Sequence, residues 1–171
     1  MSSQDQNFYT RYDKAMEAEK RFKKEYERRG WYIYEYGIHM GEKHKQKFKH
    51  LPDIIKKTPD FICWKPEARY RPIFVEHKMC GKDWFTLKED GHMQYKRFNN
   101  LMPLIYAIEI YVQVNGLTKK VNVFCDWKGM DRIAQESLAA NNYKMQPFPK
   151  NTYGAKEHYP IKSQTIKNLH I

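Results

Sequence analysis

The chain predicts a mixed α/β domain, a central mixed sheet flanked by helices, and three features of the sequence carry that expectation. An amphipathic repeat near the N-terminus gives way to short runs rich in β-branched and aromatic residues. A second helical repeat follows, and the Asn115-Gly116 turn signal then separates two more strand-like runs. With 171 residues, of which 41% are hydrophobic and 15% aromatic, the chain is long enough to bury roughly 70% of its unfolded surface in one core, which excludes general disorder. A mean hydropathy of −0.90, with no apolar run near the ~20 residues that a membrane-spanning helix needs, excludes that class.

The elements follow in order. Between Thr10 and Arg29, Tyr12, Ala15, Met16, Glu19, Phe22 and Tyr26 recur at helical spacing, with Lys14, Lys20, Lys23, Lys24 and Arg28 on the other faces. Arg28 and Arg29 complement the helix dipole, and Gly30 supplies a left-handed cap. Trp31 to Tyr36 reads as a first strand bounded by Gly37. Gly41 to Lys57 carries many cations and little apolar content and reads as a mobile basic loop. Thr58 to Trp64 opens with a proline, which a strand tolerates at its start, and forms strand two. Arg71 to Met79 forms strand three, the pair making a hairpin. A loop holding Trp84 and Phe85 precedes a helix from about Lys88 to Leu101, ended by Pro103. Leu104 to Val114 and Val121 to Trp127 form a second hairpin, and Asp131 to Ala140 a short helix. Residues 1–142 therefore read as one domain with its core at about 10–127. Residues 143–171 read as a C-terminal tail, irregular or packed on the domain or a partner.

Charge narrows the partner class. Thirty-one Lys and Arg against 20 Asp and Glu give a net charge of +11, a field that attracts nucleic acid or anionic surfaces and weakens with salt. The opening Met1-Ser2-Ser3-Gln4-Asp5-Gln6 has no apolar stretch, and three cysteines at 63, 80 and 125 do not make a paired framework. The expectation is a reducing cytoplasm, with no disulfide-linked partner and no membrane.

Chemistry concentrates at three places: a carboxylate on the inward stripe of the first helix, Pro59-Asp60 opening one strand, and Glu76-His77-Lys78 ending the next. Because side chains alternate along a strand, Glu76 and Lys78 share one face and His77 takes the other. Hairpin pairing then brings Asp60 beside Glu76 and Lys78. Two converging carboxylates repel unless a cation lies between them, and hard oxygen ligands suit Mg²⁺, with Mn²⁺ able to substitute. An ion held this way polarises a phosphoryl oxygen, and the Lys78 ammonium beside it would orient or activate water. Phosphodiester hydrolysis fits these parts.

These residues resemble the signature of the PD-(D/E)xK nuclease superfamily, matched by Pro59-Asp60 and Glu76-His77-Lys78. The resemblance implies a restriction-endonuclease-like αβββαβ core over residues 10 to about 114 and a metal-dependent DNA endonuclease. It implies Glu19, Asp60, Glu76 and Lys78 as catalytic residues, and Asp60, Glu76, Glu19 and the backbone carbonyl of His77 as metal ligands. Small phage-type or archaeal-type Holliday junction resolvases have the nearest look, which implies branched DNA as substrate, a bacterial, archaeal or phage-infected cell as setting, and a homodimer for cutting two strands. Some superfamily exonucleases carry Gln-x-x-x-Tyr on the second helix; Gln94 matches its glutamine, with Phe98 in the tyrosine position.

Plainer readings stand beside these. Glu19 at i−4 from Lys23 suits a helix ion pair. Lys43, Lys45, Lys47 and Lys49 are either a solvated loop or phosphate contacts just before the Asp60 strand. Trp84 and Phe85 read as core or interface packing, or as a platform for a splayed base. His39, His44, His50 and His92 lack zinc-ligand spacing. A nucleic-acid-binding module or interaction subunit that keeps the fold and cuts nothing is the alternative function.

Overall fold

The computed structural model describes residues 3–37, 51–66, 71–147 and 157–170. Helix α1 (Ser3–Arg28) begins earlier than the periodicity from Thr10 suggested. It ends at Gly30, whose φ of +83° is the left-handed conformation that the cap requires. There follow β1 (Tyr32–Glu35), a short α2 (Asp53–Lys56) and β2 (Phe61–Trp64). Next come β3 (Ile73–Met79), β4 (Trp84–Lys88), α3 (Glu89–Leu101) and β5 (Leu104–Val114). The chain continues with β6 (Leu117–Asp126), α4 (Trp127–Ala140), β7 (Gln146–Pro147), β8 (Glu157–Lys162), α5 (Ser163–Lys167) and a final 3-10 turn (Asn168–His170). No helix among the described residues is long and apolar enough to cross a membrane.

The main sheet has the order β1-β2-β3-β5-β6. Only the β3–β5 pair is parallel; β1–β2, β2–β3 and β5–β6 are antiparallel. This is a mixed α/β fold with the αβββαβ order and the mixed central sheet that the sequence predicts. Strand β5 is buried without alternation from Tyr106 to Ile110, as a strand covered on both faces must be. On one face α1 closes a cluster of Phe22, Ile33, Phe61, Cys63, Val75 and Ala107. On the other face, α3 and α4 close a larger cluster that includes Phe74, Tyr95, Phe98, Tyr106, Ile108 and Met130.

Three local expectations change. The stretch after Gly81 is the strand β4 rather than a loop. Its burial alternates, with Phe85 and Leu87 inward, because it pairs with β8 in a second sheet of order β4-β8-β7. The tail from 157 to 170 therefore belongs to the domain, and Tyr159, Ile161 and Ile166 lie in the core. Helix α4 starts at Trp127 rather than Asp131, because Asp126 Oδ1 caps it by accepting from the Gly129 N–H at 2.7 Å. Of the expected basic loop, residues 41–50 lie outside the described residues, and 53–56 are helical.

Candidate active site

The β2–β3 register pairs Phe61 with Val75, and one step further along it Asp60 stands opposite Glu76. That step also puts both carboxylates on the same face of the sheet. The backbone of Asp60 is fixed from the β1 side, where Tyr36 and Gly37 N–H both donate to its carbonyl, at 2.8 and 3.0 Å. Gly37 is glycine for a steric reason: a Cβ there would come within 3.1 Å of Asp60 Cα and 3.3 Å of the Pro59 carbonyl. From the β3 side, the His77 N–H donates to Asp60 Oδ2 at 2.7 Å. In an extended strand the N–H and C=O of one residue point to the same side. The His77 carbonyl therefore also faces Asp60, past the last β2–β3 pair.

Glu76 is 1% exposed and in the middle of this arrangement. Its Oε1 accepts from Lys78 Nζ, two residues along the same face, while Oε2 is enclosed without a hydrogen-bond partner. Glu19 reaches the same place from α1, half-buried. Burial pushes its carboxyl up to about 7, the negative charges of Glu76 and Glu35 adding to the rise and Lys78 opposing it. Asp60 is raised well above the ordinary carboxylate range by burial, then by Glu76, with Lys78 and the His77 N–H opposing. Burial by itself would lower the Lys78 ammonium, but Glu76, Asp60 and Glu19 outweigh it and hold its pKa above the ordinary lysine value. Glu19, Asp60, Glu76 and Lys78 thus form one electrostatic unit of three carboxylates and one ammonium.

The other sequence candidates fall elsewhere. The His77 imidazole points away from the unit, 5.4 Å from the Phe22 ring, and burial lowers its pKa to about 4. That leaves its main-chain carbonyl, and not the ring, on the side of the unit. Gln94 is half-buried on α3, with Oε1 enclosed and unpaired. Lys43, Lys45, Lys47 and Lys49 lie outside the described residues. Among the candidate zinc histidines, His92 is fully buried and already satisfied, 2.7 Å from the Tyr106 hydroxyl and 3.1 Å from Asp131 Oδ1.

Sequence reasoning missed three neighbours. Tyr95 on α3 is buried against the site: after burial, the charges of Glu76 and Asp60 and a side-chain hydrogen bond to Glu76 raise its hydroxyl well above the usual range. Lys88, at the end of β4, has its pKa lowered by burial and then by Lys78. Lys57 pairs with Asp90 at 2.8 Å in the first turn of α3, and the two act on Lys88 in opposite directions. For Lys88 the signal was the alternation of β4, hidden inside Trp-Phe-Thr-Leu; nothing local marked Lys57 or Tyr95 as neighbours of the site.

The donor set suits a hard divalent cation. Three carboxylates and one carbonyl supply only oxygen, and the enclosed, unpaired Glu76 Oε2 is the atom such an ion would satisfy. Among the described residues no three His, Cys, Asp or Glu side chains stand together as a ready cage. Mg²⁺ does not need one, being held through one or two carboxylates with water and substrate phosphate completing its shell.

The burial of Glu19 among other carboxylates has a consequence for stability. Glu19 rises from 4.5 to about 7 on folding, so its protonated form stabilises the fold fully below its unfolded pKa, and that stability is lost as pH rises through 7. Glu19→Gln is expected to raise the metal-free protein's stability at pH about 8 by on the order of 1 to 3 kcal/mol and leave it nearly unchanged at pH about 5. Thermal unfolding in EDTA at both pH values checks this; an equal difference at both would count against the electrostatic unit.

No known protein family matches the chain, and no curated protein matches it. Among solved structures it is similar to Hjc, a Holliday junction resolvase from the archaeal hyperthermophile Archaeoglobus fulgidus. The two are 12% identical with a TM-score of 0.43, the likeness covering 66% of this chain and 77% of that one.

Proposed function

We propose that the chain is a metal-dependent DNA endonuclease that hydrolyses phosphodiester bonds. The observation that carries this reading is the placing of Asp60 opposite Glu76 across the β2–β3 register, with the Lys78 ammonium on Glu76 and the His77 N–H on Asp60. Asp60, Glu76 and the His77 carbonyl would hold Mg²⁺ or Mn²⁺, with Glu19 completing the site from α1. When bound, the ion supplies a Lewis acid for the phosphoryl oxygen and lowers the pKa of a coordinated water.

The chain's own residues do the rest. Lys78 keeps its proton at neutral pH, so it acts as a fixed cation that orients water and offsets charge growing on the phosphoryl group, rather than as a base. The His77 N–H holds the Asp60 carboxylate in place. Lys88 adds positive charge where a phosphate would enter, and the net charge of +11 favours a polyanionic substrate.

Preference for branched DNA, and a homodimer to cut its two strands, are the finer parts of the proposal. The test is cleavage of labelled single-stranded, duplex, flap and four-way-junction DNA with Mg²⁺, Mn²⁺ or EDTA, by wild type and Asp60→Ala. Cutting that needs metal and disappears in Asp60→Ala supports the proposal, and the order of substrates tests the preference. Binding without cutting by wild type would instead select a nucleic-acid-binding module.

A further inference from the structure

A second feature lies on the outer face of the small sheet. Trp84, the first residue of β4, is 40% exposed and pairs directly across from Lys162 on β8. With Lys82, Asp83, Gln164 and Lys167 these two line an open pocket of about 360 Å³. The pocket is built on a fixed base. Ser163, 1% exposed, donates its hydroxyl to the Gly81 carbonyl at 2.8 Å and its N–H to the Asp83 carbonyl at 3.0 Å, pinning the turn that carries Lys82. Three ammonium groups against one carboxylate leave the rim positive around an aromatic face.

We propose that this pocket binds an unpaired nucleotide of single-stranded DNA, its base stacked on Trp84 and its flanking phosphates held by Lys82, Lys162 and Lys167. Exposed indole and clustered lysines are the two parts that single-strand binding uses, stacking for the base and charge for the backbone. Charge complementarity favours DNA over a protein partner here, because an apolar docking surface would not be ringed by three lysines.

The position also fits the proposed active site, on which this inference rests for its biological meaning. Trp84, Thr86 and Lys88 form the outward row of β4, and the charge of Lys78 is felt at its Lys88 end. Four residues at about 3.3 Å each separate the two ends by about 13 Å. At about 3.4 Å per stacked nucleotide, that is about four nucleotides. A single-stranded flank lying along β4 would thus be anchored at Trp84 with its scissile phosphate near Lys78.

The experiment is fluorescence anisotropy of a labelled oligothymidylate and a blunt duplex in EDTA, using the full chain. Trp84→Ala is expected to weaken oligothymidylate binding about 10-fold or more and duplex binding less, with Trp84→Phe restoring most of the loss. Lys162→Ala is expected to lower the slope of log affinity against log salt by about 1. Oligothymidylate affinity for Trp84→Ala within about twofold of wild type would overturn the inference. So would an equal loss for both DNAs, or a change in oligomeric state by light scattering with unchanged DNA affinity. Because binding is read without cleavage, the two proposals fail separately. A chain that binds through Trp84 and never cuts keeps this inference and loses the nuclease, whereas cutting with Trp84-independent binding does the reverse.

Discussion

Lys78→Met is expected to reduce DNA cleavage by about 10³-fold or more while DNA affinity changes by less than about threefold. The reason is location. Lys78 donates to Glu76, whose side chain is 2% exposed, and is itself only 34% exposed, so its charge is directed at the carboxylates rather than at an approaching phosphate backbone. Methionine keeps most of the aliphatic stem and removes only the cation. Three carboxylates then share the site with no counter-charge. They are expected to take up protons, so circular dichroism at the assay pH confirms that the variant is folded before its rate is read. Equal losses of rate and affinity would make Lys78 a phosphate anchor and not part of the chemistry.

The second large effect concerns how α1 is held against the sheet. Arg21 makes a forked contact with Glu109 on β5, Nη2 at 2.9 Å from Oε1 and Nε at 3.2 Å from Oε2. The Glu109 side chain is 4% exposed, and its other cation, Lys120, stands further off at 3.8 Å. Removing Arg21 leaves a buried carboxylate nearly unpaired, which costs far more than the pair contributes. Arg21→Ala is expected to destabilise the fold by about 3 kcal/mol, moderated by the 40% exposure of Arg21. Arg21→Lys should fall between, since a lysine cannot reproduce the fork. Urea denaturation checks both, and a loss under about 1 kcal/mol would show that Lys120 and water replace the arginine. Glu19 is two residues from Arg21 on the same helix, so cleavage should suffer as well wherever the variant remains folded.

The parts of this structure readable from sequence are those fixed by local pattern. Period-two alternation put Glu76 and Lys78 on one face and His77 on the other, and the run after Pro59-Asp60 marked it as a strand opening, unlike Pro52-Asp53, which leads into α2. Gly30 stopped α1 where a left-handed cap was needed. The parts that stayed hidden depend on partners far along the chain. β4 gains its identity from β8, whose Lys162 pairs with Trp84 across the intervening helices and hairpin. The early start of β6 was obscured because Thr118, Lys119 and Lys120 are exposed on the outer strand and carry no apolar alternation. Nothing local singles out Arg21, since its partner is a buried glutamate far along the chain on β5. The helical spacing that places Tyr95 on α3 says nothing of Glu76, which comes from a strand earlier in the chain.

The central claim is that Asp60 and Glu76 form a cation site whose repulsion the ion relieves. Titration calorimetry of Mn²⁺ into the metal-free protein at pH about 8 tests it most directly, comparing wild type with Asp60→Asn. The account predicts saturable binding by wild type that is lost or greatly weakened in Asp60→Asn. Equal binding by both proteins, or none by either in the presence of DNA, would contradict it.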